Sequence, residues 1–165
     1  AYCHSLAGQL RHLQYEGRQL NIVVDEREMR GGDKLWSWVK KGVPIRIEIG
    51  PRDIANNRLP IARRYHGHRD FNFMSREELL SSVIDQLEDI QQALFNRARD
   101  FRDSHIKKIQ SKDEFYAFFT PKMTENSEIH GGFALCHWVE DPAVEEQLKK
   151  DLGVTTRCLT LDLPF

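Results

Sequence analysis

Residues 42–53 read GVPIRIEIGPRD, and the reading of this stretch decides the architecture around it. Valine and isoleucine alternating with charge over residues 43–49 predict a half-buried strand, which Gly50 and Pro51 terminate. Side chains on a strand point alternately to its two faces, so Val43, Ile45, Ile47 and Ile49 share one face and Pro44, Arg46 and Glu48 the other. The apolar face is expected to be buried. The opposite face sets a guanidinium beside a carboxylate, and Arg52 and Asp53 follow in the turn. A local Arg46–Glu48 pair on a solvated face is one account of such a strand. A binding surface is the other, and the flanking sequence bears on the choice.

Between residues 34 and 64 the basic residues are Lys34, Lys40, Lys41, Arg46, Arg52, Arg58, Arg63 and Arg64, against only Glu48 and Asp53. That is a local excess of six positive charges in a chain whose net charge is −1. Basic residues interleaved with Trp36 and Trp38 are the footprint expected of a nucleic-acid surface. Arginine meets guanine edges or phosphates bidentately, aspartate and glutamate accept from base amino groups, and an indole stacks on an unpaired base. Outside the strand and its turn, the candidate contacts are Trp38, Lys40, Arg63 and Arg64.

Toward the N-terminus, Tyr2, Leu6, Leu10 and Leu13 space out one helical face, with Gly17 as a C-terminal stop. Residues 20–24 then predict a short buried strand ending at Asp25 and Glu26. The chain starts without methionine and already in a helix, so a preceding strand is expected to be missing. Arg30, Gly31 and Gly32 predict a turn, Asp33 a cap for a helix reaching Lys41, and Gly42 its end.

Toward the C-terminus, Asn56 and Asn57 mark a turn, and residues 59–63 a strand that Pro60 assigns to a sheet edge. Ser75 and Glu78 form a capping box, with Met74 and Leu79 as its hydrophobic staple. The helix they open buries Leu79, Leu80, Val83, Ile84, Leu87, Ile90, Leu94 and Phe101 and exposes Arg97, Arg99 and Arg102. A second small unit is expected from about Lys107. It comprises a helix capped by Ser111 and Glu114, a polar loop over residues 120–130, and a strand through Phe133, Leu135 and His137. A helix from Asp141 and Pro142 to Gly153 and a last strand over residues 154–161 complete it.

With 40% hydrophobic and 30% charged residues in 165, the chain has room for one ordinary core or two small ones. No apolar run reaches membrane-spanning length, so no membrane partner is expected. Cys3, Cys136 and Cys158 are far apart and odd in number, which points to reduced thiols and a cytoplasmic protein. His66 and His68 lack further ligands at zinc spacing and read as a polar turn. Cys136 and His137 are neighbours on a strand and face opposite ways, which excludes them as a catalytic pair. The Gly31-Gly32 and Gly131-Gly132 pairs lack the pattern of a phosphate loop. No residue set for covalent chemistry emerges.

The run DKLWSWVKKGVPIRIEIGPRD at 33–53 resembles the anticodon-binding domain of prolyl-tRNA synthetases of the archaeal and eukaryotic-like type. RARDFRDSH at 97–105, GGFALCHW at 131–138 and TTRC at 155–158 match the same family in the same order. The resemblance implies an α/β fold: an anticodon-binding domain over residues 1–106, with a mixed sheet flanked by helices, and a small α+β C-terminal domain over 107–165. It further implies a catalytic domain upstream, a homodimeric parent enzyme using ATP and magnesium, and proline tRNA as partner. The fragment itself would hold no cofactor and no catalytic residue.

By the same resemblance Arg46, Arg52 and Asp53 match residues used near the anticodon, while Leu35 stands in the place of a stacking aromatic. Val39 replaces a glutamate that reads a guanine, and a valine cannot accept a hydrogen bond, so Glu48 or backbone would take that part. The family's C-terminal zinc is expected to be absent, because Val139 and Val144 match two of its four cysteines and the other pair would lie beyond Phe165. The alternative, from a different class, is a non-catalytic interaction or dimerisation module whose basic strip meets an acidic protein.

Overall fold

A computed structural model describes residues 1–67, 70–121 and 130–159. The chain divides into two compact units, Ala1–Arg97 and Ala98–Phe165. Helices and small sheets make up both, the α/β class expected from sequence.

In the first unit, helix α1 (Tyr2–Arg11) buries Leu6, Ala7 and Leu10. It ends well before Gly17, which belongs instead to a hairpin of β1 (Gln14–Tyr15) and β2 (Arg18–Gln19). Glu16 and Gly17 have φ of 49° and 76°, the two positive values that a two-residue hairpin turn requires. Residues 20–24 form no ladder. Leu20 and Ile22 lean on the core while Val23 is 58% exposed, so the alternation is real but no strand pairs with it among the described residues.

Helix α2 (Gly31–Lys40) starts at Arg30, and Asp33 lies inside its first turn rather than capping it. Its other end is a Schellman closure: Gly42 N–H donates to the Val39 carbonyl and Val43 N–H to that of Trp38. Gly42 has φ of 71°, and a Cβ there would meet the Arg64 guanidinium at 3.2 Å. Strand β3 (Ile45–Ile47) then leads through Gly50 into α3 (Pro51–Ala55), where a turn was expected.

Strands β4 (Leu59–Arg63) and β5 (Phe71–Met74) complete an antiparallel sheet of order β3-β4-β5. Pro60 therefore sits in the central strand and not at an edge. Its carbonyl accepts from Glu48 N–H just past the end of the β3 ladder, so the N–H it lacks would face the side where β3 is already leaving the sheet. The sheet is tolerant of proline at that place. The four residues of β5 are too few for their alternation to predict a strand from sequence.

Helix α4 (Arg76–Ser104) opens on the expected capping box, with Glu78 N–H donating to Ser75 Oγ and Ser75 N–H to Glu78 Oε2. Leu6, Leu10, Leu59, Ile61, Leu79 and Val83 form the buried cluster, with Ile45, Ile47, Ile49 and Met74 packed against it. The apolar stripe of α4 does not stay buried throughout, because Phe101 is 65% exposed and stacks on its neighbour His105 with centroids 4.1 Å apart.

In the second unit β6 (Ile106–Lys108) pairs in parallel with β7 (Phe133–Leu135). His137 lies past the end of that strand. Between them α5 (Lys112–Phe119) is capped by Ser111, whose Oγ accepts from Glu114 N–H. Glu114 reaches back to Gln110 N–H and to Lys107, not to Ser111 N–H. Helix α6 (Pro142–Leu152) runs from an Asp141 cap to Gly153 at φ 68°, as read from sequence. Residues 154–159 form no strand, and 160 and 161 lie outside the described residues. The loop read over 120–130 also falls mostly outside them, at 122–129, as does His68.

Candidate nucleic-acid interface

The register of the three strands separates the two faces of the sheet. Ile47 opposes Ile61, which opposes Asn72, and Leu59 opposes Met74, all on the core side. On the other side one row is Arg46–Ala62–Phe71 and the next Glu48–Pro60–Phe73, the latter aligned by the Glu48-to-Pro60 hydrogen bond. The alternation read from residues 43–49 holds along that strand but is incomplete across the sheet, where Asn72 is exposed in the core-side row and Ala62 is buried in the other.

Arg46 is less open than its place on a polar face suggests. Its side chain is 12% exposed, lying beside the fully buried Ala62, whereas that of Glu48 is 54% exposed. The two approach at 3.5 Å, a long contact that leaves the Glu48 carboxylate open to other donors. A held guanidinium next to an exposed carboxylate is a suitable pair for a base edge, since little side-chain freedom remains to be lost.

Asp53 has a structural duty. Its Oδ2 accepts from Gly50 N–H at 2.7 Å, closing the start of α3, in whose first turn the exposed Arg52 lies. Trp38 is likewise engaged: its indole N–H donates to Asp25 Oδ2 at 2.7 Å, and Lys41 Nζ sits 4.5 Å from the ring centroid. It ties α2 to the segment before it. Leu35 on α2 is half-buried, and Trp36, beside it, is 48% exposed.

Lys40, in the last turn of α2, is exposed, and Arg64 meets the same helix end through Gly42. Cations there complement the partial negative charge of the helix C-terminus. Arg63 goes elsewhere. It opposes Ile45 on the core side, donates to Tyr65 Oη at 3.1 Å, and lines a cavity of about 240 Å³ with Ile61, His66, Asp70, Phe71 and Asn72. The structure therefore pairs Arg46 on β3 with Glu48 just past its end, puts Arg52 and Asp53 in the helix that follows, joins Lys40 and Arg64 at the end of α2, and turns Arg63 to the other face.

Phe73, which no motif in the sequence singles out, is 45% exposed on the face that carries Arg46, with the Arg58 guanidinium 4.2 Å from its ring centroid. The alternation Phe71-Asn72-Phe73-Met74 was the available signal, in a run too short to stand out. Among the described residues no group of three His, Cys, Asp or Glu is placed to hold a metal ion. No helix among them is long and apolar enough to cross a membrane.

Hydrogen bonds from the Arg27 guanidinium and then from the Trp38 indole hold the Asp25 carboxyl well below its usual range. A depressed carboxylate stabilises the fold above its ordinary pKa, near 4, and that contribution is lost as pH falls through the folded value. Asp25→Asn is therefore expected to lower stability at pH 7 and to flatten the acid limb of stability below about pH 4. Urea unfolding of both proteins across that range is the check, and parallel acid limbs would contradict it.

Residues 1–86 match the family model described as anticodon binding domain. The chain is 44% identical to proline–tRNA ligase 2 of Anaeromyxobacter dehalogenans, across 98% of this chain and 32% of that protein. It is 43% identical to proline–tRNA ligase of Protochlamydia amoebophila, across 96% of this chain and 31% of that protein. With proline–tRNA ligase of Bdellovibrio bacteriovorus the identity is 35%, over 98% and 31%. The chain spans about a third of the length of the curated relatives it matches.

Proposed function

The chain belongs to the anticodon-binding domain family, and from that premise we propose that it binds the anticodon stem-loop of proline tRNA as part of a proline–tRNA ligase. The observation that carries the reading is the charged sheet face, where Arg46 and Glu48 are held side by side and α3 presents Arg52 immediately beyond. Guanidinium and carboxylate groups so placed match the donor and acceptor pattern of base edges, and the exposed Lys40 and Arg64 suit phosphates. In this reading residues 1–106 are the anticodon-binding domain and 107–165 a C-terminal domain. Joining proline to tRNA with ATP and magnesium belongs to a catalytic domain elsewhere in a homodimeric cytoplasmic enzyme. This chain contributes RNA binding and no catalytic group.

Fluorescence-anisotropy titration of proline tRNA at several salt concentrations tests the reading. A linear dependence of log affinity on log salt with a slope of several phosphates is expected, together with weaker binding of tRNAs of other anticodons. Absence of both would favour the interaction-module alternative.

We further expect no stoichiometric zinc. Val139 and Val144 stand where the family resemblance places ligands, and α6 starts between them on an Asp141 cap instead. Elemental analysis of the purified chain is the measurement, and one tightly held zinc per chain would overturn the expectation.

A further inference from the structure

We propose that Phe73 is a stacking surface for an unpaired base of the bound RNA, held ready by Arg58. The proposal rests on the RNA-binding reading above and adds a contact that reading did not contain. Phe73 stands at the end of the row Glu48–Pro60–Phe73, on the same face as Arg46, and is 45% exposed. Buried aromatic rings are ordinary; a half-exposed phenylalanine among charged groups on a sheet face is not accounted for by the core on the opposite side. The Arg58 guanidinium packs on the ring at 4.2 Å, which polarises it and restricts its rotation.

The placement is tied by hydrogen bonds to the candidate site. Arg58 N–H donates to the Asp53 carbonyl at 3.0 Å, so the residue that holds Phe73 is tied directly to α3. The turn before it is pinned at Asn57, whose side chain accepts from Arg76 N–H and donates to Glu77 Oε2. Every base has a π-face, so such a ring recognises an unpaired base without regard to sequence, while Arg46 and Glu48 on the same face meet its edge. A fully paired duplex offers no such base. An exposed ring beside Arg46 and Glu48 therefore selects single-stranded loop over stem.

The test compares an anticodon stem-loop of proline tRNA with an RNA duplex of the same stem, using the parent chain, Phe73→Leu and Phe73→Tyr. Phe73→Leu is expected to lose about 5- to 150-fold in affinity for the stem-loop, to keep the salt slope, and to bind the duplex unchanged. Phe73→Tyr is expected to restore stem-loop binding, which a merely structural role in the sheet would not require. Equal stem-loop affinity of the parent and a folded Phe73→Leu, or equal losses on both RNAs, would overturn the proposal while leaving the RNA-binding reading intact. Failure of the parent to bind the stem-loop at all would overturn both.

Discussion

Leu79→Ala is expected to destabilise the first unit by about 2–5 kcal/mol, measured by urea unfolding. Leu79 has 0% exposure and joins Leu59, Ile61 and Val83 in the cluster that fixes α4 to the sheet. Truncation removes its transfer energy and leaves a cavity that a strand and a helix cannot easily collapse into. Phe101→Ala makes the contrast. It lies on the same helix at 65% exposure and is expected to change stability by no more than about 0.5 kcal/mol. Similar losses in the two variants would mean that the apolar stripe of α4 is buried along its whole length after all.

Arg46→Ala is expected to weaken binding of the anticodon stem-loop by about 1–3 kcal/mol, the cost of one bidentate base contact. The loss should be selective for the cognate loop, because Arg46 is held on the sheet and paired with Glu48 rather than extended to bulk solvent. Lys40→Ala, at the exposed end of α2, should instead weaken all RNAs alike and reduce the salt slope. Stem-loop titrations with thermal melts as a folding control separate the two. An Arg46→Ala protein that is folded and binds as tightly as the parent would remove Arg46 from the interface.

The contribution of the sequence was greatest where local chemistry alone decides. The alternation over residues 43–49, the capping box at Ser75, the cap at Asp141, and the glycines ending α2 and α6 all act within a few residues of themselves, and each stands as read. The pairing of Arg46 with Glu48 follows from the same period of two. The charge excess between residues 34 and 64 was legible as well, because it needs no knowledge of contacts.

What depended on neighbours distant in sequence was decided by the tertiary structure. Pro60 reads as an edge residue until β3 is seen to leave the sheet at the place where its missing N–H would point. Gly17 reads as a helix stop until a hairpin claims it. That the Trp38 N–H is held by Asp25, from a segment before the helix, is likewise visible only in the folded chain. Arg63 and Arg64 are adjacent in sequence, yet strand geometry sends one to the core side and the other to the end of α2. Phe73 shows the limit most directly. Four residues of β5 carry too little periodicity to be noticed, and only the pairing of β5 with β4 places that ring in register with Pro60 and Glu48, under Arg58. A strand's faces are written in its own sequence, but which strands lie side by side is settled by long-range pairing that local pattern does not encode.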